Sequence, residues 1–344
     1  MNKNIFKNKV ILVTGGVGSI GSALIKELIK HQPKQIRIFD NRETELVDMQ
    51  RSLLKHENLS FLVGDVRDKE RLNLAMRKVD IIFHAAALKH VPACEYNPFE
   101  AVKTNVGGTQ NIIDTALENN VERVINISTD KVTNTINTMG ATKLLAERLI
   151  SSAHYFKGDK KTLFTSVRFG NVLNSRGSIL ELLDKQIKNK NPVTITEPEM
   201  TRFIMSIPEA VRLVIKAANL TQGGDVFILK MPVFKLKNFI DVAIDIISSR
   251  YKINKQRIKI KKIGLRAGEK MHEDLMTEEE SKSVIETENY LILSPKVEIP
   301  LFKKAKRVYK NSKKTSRISY SSKNITPLTN EQINKLLSIK QVTS

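Results

Sequence analysis

Residues 10–21 read VILVTGGVGSIG, a short apolar run that leads directly into a glycine-rich turn. Apolar residues then recur at helical spacing over Ser22–Lys30, so the local order is strand, turn and helix. In that context Gly15 permits the tight turn, Gly18 lets the backbone approach a pyrophosphate, and Gly21 allows the helix to pack closely. The amide groups at the start of such a helix favour phosphate. The stretch therefore predicts the first strand–helix unit of a dinucleotide-binding sheet.

The alternation of β-branched runs and amphipathic segments continues through the first half of the chain. We predict strands at Val10–Val13, Gln35–Phe39, Leu59–Val63, Asp80–Phe83, Glu122–Ile127 and Thr162–Val167. Helical segments such as Asn105–Asn119 lie between them. This pattern predicts an α/β fold with a Rossmann-type, doubly wound parallel sheet. Ligands of such sheets bind beyond the carboxyl ends of the strands.

The pattern changes after about residue 170, where prolines and glycines divide the chain into shorter pieces, with a β-like run at Arg257–Ile263. We therefore predict an NAD(P)-binding Rossmann domain at residues 1–170 and a smaller mixed α/β, substrate-binding domain at residues 171–330. A segment around residues 205–222 is expected to pack back on the first domain.

The composition is that of a soluble globular protein, with 344 residues, 41% of them hydrophobic and 27% charged. Cys94 is the only cysteine and cannot form an internal disulfide, which fits a reducing compartment. No apolar run approaches the roughly 18 residues that a membrane span needs. We therefore expect a cytoplasmic protein that does not span a membrane.

The charge is strongly positive, with 57 Lys and Arg against 36 Asp and Glu, a net charge of +21. Such an excess can attract nucleic acid, anionic lipid or a polyanionic small substrate. There is no Trp and aromatic residues make up only 6%, so platforms for stacking bases are not indicated and nucleic acid is the less favoured partner. Part of the charge lies in Lys303–Arg317, which contains no acid. We expect the basic, Ser-rich segment Lys303–Lys323 to be an irregular, solvated surface.

The second predicted strand ends at Asp40, 19 residues after Gly21. A carboxylate there accepts hydrogen bonds from the adenosine ribose and repels a 2′-phosphate, which favours NAD. Arg42 could instead pair with that phosphate, so NADP stays open. Small side chains after His84, which we interpret as a packing residue, leave room for the cofactor. The predicted cofactor-binding residues are Gly15, Gly18, Ser19, Ile20, Gly21, Asp40, Arg42, Asp65, Val66, Ala85, Ala86, Ala87, Lys89, Asn105 and Lys143.

The fifth predicted strand ends in the polar sequence Ser128-Thr129-Asp130-Lys131. Met139 and Lys143 follow four residues apart and therefore share one helical face. Here the sequence resembles the extended short-chain dehydrogenase/reductases, in which a Ser or Thr after this strand and a YxxxK pair carry the redox chemistry. Thr129 matches the Ser or Thr and Lys143 the Lys that holds the nicotinamide ribose.

A narrower resemblance rests on several longer blocks. They are HAAALKHVPACEYNPFEAVKTNVGGT, STDKVTNTINTMGATK, RFGNVLNSRGS, EPEMTRFIMS and GLRAGEKMHEDLMTEEES. Together they are similar to the UDP-N-acetylglucosamine 4,6-dehydratases of surface-polysaccharide and flagellar-sugar synthesis. The resemblance implies a homo-oligomer (dimer or hexamer) with a tightly bound NAD that is regenerated in each turnover. It leaves open the configuration at carbon 5 of the product.

The implied reaction begins with loss of hydride from sugar carbon 4 and ends with its return at carbon 6. Between these steps, elimination of water needs a base at carbon 5 and an acid at oxygen 6, and the family resemblance assigns these roles to Lys131 and Asp130. We expect burial to lower the pKa of Lys131 toward neutrality. Met139 replaces the Tyr that normally takes the proton from oxygen 4, and a thioether cannot do so. Asp130, Lys131 and a water held by Thr129 are the alternatives.

The resemblance also implies a nucleotide-sugar site, where Arg side chains suit a diphosphate. The predicted substrate-binding residues are Lys89, Asn171, Val172, Arg176, Thr196, Arg202, Arg266 and Glu269. No cluster has metal-ligand spacing, so we predict no metal. The competing hypotheses are a nucleotide-sugar 4-epimerase or 3/5-epimerase of the same fold, and a non-catalytic dinucleotide-sensing or nucleic-acid-binding protein.

Overall fold

The computed structural model describes residues 4–295 and 309–338. Its strands, in chain order, are β1 Val10–Thr14, β2 Gln35–Asp40, β3 Leu59–Val63, β4 Ile81–His84, β5 Arg123–Ile127, β6 Leu163–Arg168, β7 Asn171–Val172, β8 Val193–Ile195, β9 Thr201–Met205, β10 Asp225–Leu229, β11 Val233–Lys235, β12 Ile260–Lys262, β13 Asp274–Met276, β14 Val284–Glu286, β15 Tyr290–Leu293, β16 Lys313–Lys314 and β17 Tyr320–Ser321. All six strands predicted from the sequence are present, each with ends within one residue of the prediction.

The α-helices alternate with these strands. They are α1 Ser19–Ile29, α2 Glu43–Ser52, α3 Lys69–Met76, α4 Val91–Tyr96, α5 Pro98–Ala101, α6 Gly108–Glu118, α7 Thr138–Phe156, α8 Ile179–Lys188, α9 Ile207–Leu220, α10 Leu236–Arg250, α11 Glu278–Ser281 and α12 Asn330–Ser338. The helix predicted at Asn105–Asn119 begins as a π-helical turn, Val102–Gly107, and continues as α6. Single helical turns of the tighter 3₁₀ type lie at Asp130–Val132, Lys255–Arg257 and Ser322–Asn324.

The main sheet has ten strands in the order β16-β14-β15-β10-β6-β5-β4-β1-β2-β3. The seven strands from β10 to β3 are parallel, and β15, β14 and β16 add to the edge in antiparallel fashion. Between β1 and β4 the chain order reverses, and this is where ligands of doubly wound sheets bind. The predicted α/β Rossmann-type fold is confirmed.

Helices cover both faces of the sheet because its strands are apolar on both sides. Leu24 of α1, Leu46 of α2 and Val214 of α9 belong to one apolar cluster. Ile112 of α6 and Ile150 of α7 belong to the cluster on the opposite face. The two clusters form the core of a three-layer α/β/α arrangement.

A third apolar cluster lies among helices α8, α10 and α12 and includes Leu183, Phe239 and Ile333. It supports the small sheets that β8, β9 and β11 help to form. Helix α9 packs against α1, and strands β10, β14 and β15 extend the main sheet. The domain boundary at residue 170 therefore stays a prediction, since segments after residue 170 also belong to the main sheet and its helical layers.

The prediction of an irregular, solvated tail at Lys303–Lys323 is only partly correct for the part that the structure describes, because residues 310–319 are all exposed or partly exposed but the segment also contains buried residues and two short strands. Residues 303–308 lie outside the described residues. Beyond them, Tyr309 is buried, β16 joins the main sheet, and β17 pairs with β13. Periodicity could not reveal these strands because each has only two residues.

Changing Tyr320 to Phe should destabilise the fold by about 1–3 kcal/mol, the cost of leaving a buried polar group without a partner. The Tyr320 hydroxyl accepts a hydrogen bond from the backbone N–H of Met231 at 2.8 Å, and the ring packs on Phe203 at 5.2 Å between centroids. Urea unfolding would measure the change. The matched control is Tyr96→Phe, whose ring is 89% exposed and whose loss should cost nothing measurable. Equal stability of both variants would show that the tail is only loosely attached.

Candidate active site

A cavity of about 940 Å³ opens at the carboxyl ends of β1 to β6. It lies where the topology predicts a ligand site. Sequence-predicted site residues that line it are Gly15, Gly18, Ser19, Ile20, Gly21, Asp40, Arg42, Asp65, Val66, Ala85, Ala86, Ala87, Lys89, Thr129, Asp130, Lys131, Met139, Lys143, Asn171, Val172 and Arg176. The structure thus gathers residues from seven separate stretches of sequence around one space.

The glycine turn is so tight that two of its glycines cannot be replaced by residues that have a side chain. Gly15 has φ of +67°, and a Cβ there would lie 2.6 Å from the backbone nitrogen of Ala86. A Cβ on Gly21 would collide with the carbonyl oxygen of Gly15. Helix α1 begins directly after Gly18, so its first amides face the cavity mouth.

Asp40 lies at the end of β2 and is 5% exposed. Its carboxylate accepts a hydrogen bond from the backbone N–H of Val17 in the glycine turn at 3.2 Å. It also pairs with the Arg42 guanidinium through Nε at 3.1 Å and Nη2 at 3.2 Å. Arg42 is therefore folded back on Asp40, and both groups line the same end of the cavity.

The small residues Ala85–Ala87 follow β4, and the loop they begin is held by Asn105. The Asn105 side chain accepts from the backbone N–H of Leu88 at 2.8 Å and donates to its carbonyl at 3.0 Å. Asn105 is buried and does not line the cavity, so the structure gives it a supporting position rather than the cofactor contact predicted from sequence. His84 is buried between Thr14 and Thr109, and burial lowers its pKa to about 3, as suits a packing residue.

The three residues after β5 form one hydrogen-bonded group. The Thr129 hydroxyl donates to Asp130 Oδ1 at 2.8 Å, and Lys131 Nζ donates to the same oxygen at 3.0 Å. Asp130 is fully buried and its Oδ2 has no protein partner. Lys131 retains 25% side-chain exposure. An acid and a basic side chain therefore meet at the wall of the cavity.

The expectation of a lowered pKa for Lys131 is wrong. Burial does lower the pKa, but the carboxylates of Asp130 and Glu273 outweigh it, and the net shift is upward. Glu273 Oε1 lies 3.5 Å from Lys131 Nζ. Because Glu273 is 142 positions away in the sequence, its influence could not be read from the STDK motif.

Met139 and Lys143 project from one face of α7, as their spacing predicts. Both line the cavity, and Met139 is packed with Cys94 and Ala101. Lys143 Nζ donates to the carbonyl of Ile127 at 2.5 Å. Burial lowers the pKa of Lys143 to about 8, against an opposing effect of Glu147.

A buried ionic network lies next to the carboxyl end of β5. Ser128 Oγ donates to Glu147 at 2.6 Å, and Glu147 also accepts from Arg168. Arg168 is fully buried and donates on its other side to Glu280 at 2.9 and 3.1 Å. The network connects β5, α7, β6 and α11, so it fixes the elements that carry Thr129 and Lys143.

The predicted substrate residues divide into two groups. Lys89, Asn171, Val172 and Arg176 line the cavity, and Lys89 Nζ donates to the carbonyl of Arg176 at 2.6 Å. The remaining four lie outside its lining: Thr196, Arg202, Arg266 and Glu269.

Arg202 is 7% exposed and donates to the backbone carbonyls of Thr201, Lys270 and Met271. Arg266 is exposed and shares a turn with Glu269, whose carboxylate accepts from the Arg266 N–H at 3.2 Å. The substrate-binding roles of these residues stay predictions.

Comparison with known proteins decides the family. The family profile described as polysaccharide biosynthesis protein matches residues 11–295, most of the chain. The chain belongs to this family. The resemblance drawn above from the sequence blocks is thereby confirmed.

Relatives in and around this family cover nearly the whole chain. An uncharacterized membrane protein of Methanocaldococcus jannaschii is 52% identical over 97% of this chain and 96% of its own length. A UDP-N-acetylglucosamine 4,6-dehydratase (inverting) of Campylobacter jejuni is 40% identical over 86% of this chain and 85% of its own. A UDP-glucose 4-epimerase of Rickettsia rickettsii is 37% identical over 97% and 96%.

A solved structure has nearly the same fold over the whole chain. The X-ray structure of Pen from Bacillus thuringiensis superposes with a TM-score of 0.91 at 40% identity, covering 99% of this chain and 100% of that one. Within residues 4–295 and 309–338, no helix of this family member is both long and apolar enough to cross a bilayer.

Two features of the site were missed from sequence, although the family blocks contain them. Glu273 lies in the last block, four positions after Glu269, which we had selected instead. The same block contacts the segment that follows Lys131. Lys270 Nζ donates to the carbonyl of Thr133, and Asn137 Nδ2 donates to the carbonyl of Gly268. Distant regions of the chain therefore shape the STDK turn.

Proposed function

We propose that this protein is a nicotinamide-dependent UDP-N-acetylglucosamine 4,6-dehydratase. The observation that carries the proposal is the pair Asp130 and Lys131, which meets at the cavity wall beside Thr129, Met139 and Lys143. A 4-epimerase needs the same cofactor site but has no use for an acid and a base at carbons 5 and 6. The acid–base pair therefore favours dehydration over epimerisation, although both activities occur among the relatives.

The cavity fits a nicotinamide dinucleotide. Only glycine fits at Gly15, because a Cβ there would collide with the backbone of Ala85 and Ala86, and the cavity beside this turn is lined by small residues, Gly18 and Ala85–Ala87, that leave room for a large ligand. Asp40 and Arg42 would meet the adenosine ribose, the start of α1 the pyrophosphate, and Lys143 the nicotinamide ribose. When bound, the cofactor would supply reversible removal of hydride from the sugar.

The chain's own residues would supply the proton transfers. Transfer of a proton along the 3.0 Å hydrogen bond from Lys131 Nζ to Asp130 would give a neutral amine that accepts the proton from carbon 5, and protonated Asp130 would then donate to oxygen 6 as water leaves. Thr129 hydrogen-bonds Asp130 and so fixes the direction of its carboxyl group. Water must be kept from the intermediate, and the buried position of Asp130 serves this purpose.

The nucleotide sugar would lie between the loop after β4 and residues 171–178. These segments contact each other through Lys89, and the Arg176 backbone N–H donates to Ser19 Oγ at 2.9 Å. The substrate loop is thus tied to the cofactor turn. Lys89 and Arg176 provide positive charge suited to a diphosphate.

Incubation with UDP-N-acetylglucosamine in deuterated water, followed by proton NMR, would test the proposal. A dehydratase gives a 4-keto-6-deoxy product with deuterium at carbon 5, and the coupling constants report the configuration there. The formation of UDP-N-acetylgalactosamine alone would instead identify a 4-epimerase. No conversion by a chain that binds NAD would refute both.

Replacing Asp40 with Ala should weaken NAD binding by about tenfold or more, the cost of a charge-assisted hydrogen bond. NADP binding should fall less, because the change frees Arg42 from Asp40 to pair with a 2′-phosphate. Titration calorimetry with each cofactor would measure the ratio. Asp48→Ala is the matched control, since Asp48 is exposed and pairs only with Arg51 among described residues. Equal losses for both cofactors would assign Asp40 to holding the glycine turn through Val17.

A further inference from the structure

Glu273 is a buried carboxylate that the proposed reaction does not yet use. It is 3% exposed, and its Oε2 has no hydrogen-bond partner. Its Oε1 lies 3.5 Å from Lys131 Nζ, and Glu273, unlike Lys131, is not among the residues that line the cavity. A buried, unsatisfied carboxylate is costly, so its retention beside a catalytic lysine points to a task.

The position of Glu273 is fixed from two directions. Its backbone N–H donates to Ser322 Oγ at 2.9 Å, and its carbonyl accepts from the Ser322 N–H at 2.8 Å. On the loop side, Lys270 is anchored to the carbonyl of Thr133. The carboxylate is therefore held at the lysine by the protein framework and does not reach it by chance from the surface.

The charged groups around this pair come from several elements. Asp130, which follows β5, and Glu273, which precedes β13, both approach Lys131 Nζ. Arg202 Nε adds positive charge 3.9 Å from Glu273 Oε1. Lys270 also acts on Glu273. Burial raises the pKa of Glu273, and Lys131 opposes that rise. Lys131 thus contacts two carboxylates: Asp130 lines the cavity, and Glu273 does not.

We propose that Glu273 is a positioning residue, whose carboxylate orients Lys131 and stabilises the ammonium that forms when Lys131 accepts the carbon 5 proton. This inference rests on the proposed function. In that step the C5–H bond breaks, the proton goes to the neutral amine of Lys131, and the electron pair delocalises toward the carbon 4 ketone. Loss of oxygen 6 as water then uses the proton of Asp130, so Asp130 is free to react while Glu273 balances the new charge.

Replacing Glu273 with Gln removes the negative charge at nearly constant shape. Removal of an opposite charge at this distance typically lowers a lysine pKa by about one unit or more. The acid limb of the kcat/KM profile should therefore move to lower pH by that amount, while the maximum rate falls. Glu273→Asp retains the charge and should lie between the wild type and the Gln variant.

A readout that does not depend on turnover is the reactivity of Lys131 with a trace of acetic anhydride across a pH series, followed by mass spectrometry. Lys131 is partly exposed, so the reagent can reach it. At a fixed pH below its pKa, a shift of one unit gives about tenfold more reactive amine. The labelling curve of Glu273→Gln should move in parallel with the acid limb. The matched control is Glu286→Gln, a buried carboxylate that pairs with Lys230 and Arg317 far from Lys131.

Unchanged labelling and an unchanged acid limb in a folded Glu273→Gln variant would overturn the inference, whatever happens to the rate. A full shift of the labelling curve in Glu273→Gln, an intermediate shift in Glu273→Asp and an unchanged curve in Glu286→Gln would support it. If Glu273→Gln does not fold, an intermediate shift in Glu273→Asp supports the inference and no shift overturns it. If the Lys131 labelling curve shifts as expected in Glu273→Gln but the wild type converts no UDP-N-acetylglucosamine, the proposed function alone is overturned.

Discussion

Replacing Lys131 with Ala or Arg should abolish the loss of water from UDP-N-acetylglucosamine. Removal of a general base typically costs about two to four orders of magnitude in rate. The two substitutions differ in what they leave behind. Ala leaves Asp130 and Glu273 without their shared cation, whereas Arg keeps the cation but stays protonated and cannot accept a proton. Loss of activity in both would therefore assign the defect to the missing base.

Product formation and deuterium at carbon 5 would be followed by proton NMR, and NAD affinity by titration calorimetry. Cofactor affinity should be retained, because the polar contacts described for Lys131 are with Thr129, Asp130 and Glu273 and none is with the glycine turn. Thermal unfolding of the Arg variant should match that of the wild type. Near-normal product from Lys131→Arg would remove Lys131 from the role of base.

Replacing Arg168 with Met should destabilise the fold by about 3–5 kcal/mol, the usual cost of removing one partner from a buried ion pair. Arg168 is fully buried between Glu147 and Glu280, and it also donates to the carbonyl of Leu275 at 2.9 Å. Without the guanidinium, both buried carboxylates would lose the cation that pairs with them directly. Urea unfolding of each variant would give the difference.

The controls separate this network from ordinary ion pairs. Arg250→Met removes a partly exposed pair with Asp184 and should change stability by no more than about 1 kcal/mol. The triple variant with Arg168→Met, Glu147→Gln and Glu280→Gln should recover part of the loss, because no buried charge is left unpaired. A loss in Arg168→Met no larger than in Arg250→Met would contradict the assignment.

The same network predicts a pH dependence of stability. Burial would raise the pKa of Glu280, but Arg168 outweighs it and holds the pKa below its ordinary value of 4.5. A lowered pKa in the folded state contributes stability that is present above the ordinary pKa and is lost as the pH falls through the folded value. As the pH falls below about 4.5, the stability that the Glu280–Arg168 pair contributes to the wild type should therefore decrease.

The first half of the fold could be predicted from the sequence because it consists of strands buried on both faces. Val10–Thr14 and Ile81–His84 are continuous apolar runs between turns, and such runs mark parallel strands almost to the residue. The edge strands Lys313–Lys314 and Tyr320–Ser321 have no period and owe their place to the sheets that they join. Local sequence patterns therefore predict the central strands of the sheet but not the short strands at its edge.

The candidate site shows the same limit. Gly15, Asp130 and Lys131 could be selected because their motifs are contiguous and follow strands. Asn105 and Glu273 could not be placed correctly, since one supports a backbone loop and the other approaches Lys131 across the fold. The predicted direction of the Lys131 pKa shift is wrong because the carboxylates of Asp130 and Glu273 together outweigh burial, and only the tertiary structure brings Glu273 near.

The attachment of Glu273 to Ser322 has a consequence for the timing of synthesis. Ser322 leaves the ribosome about 190 residues after Lys131, a delay of roughly 10 to 40 seconds at about 5–20 residues per second. During that interval the strands around the glycine turn are already complete, but the lysine lacks its second carboxylate. A nascent chain can thus form the first strands of the sheet while Glu273 is not yet anchored beside Lys131, and only a chain that extends to Ser322 completes that arrangement.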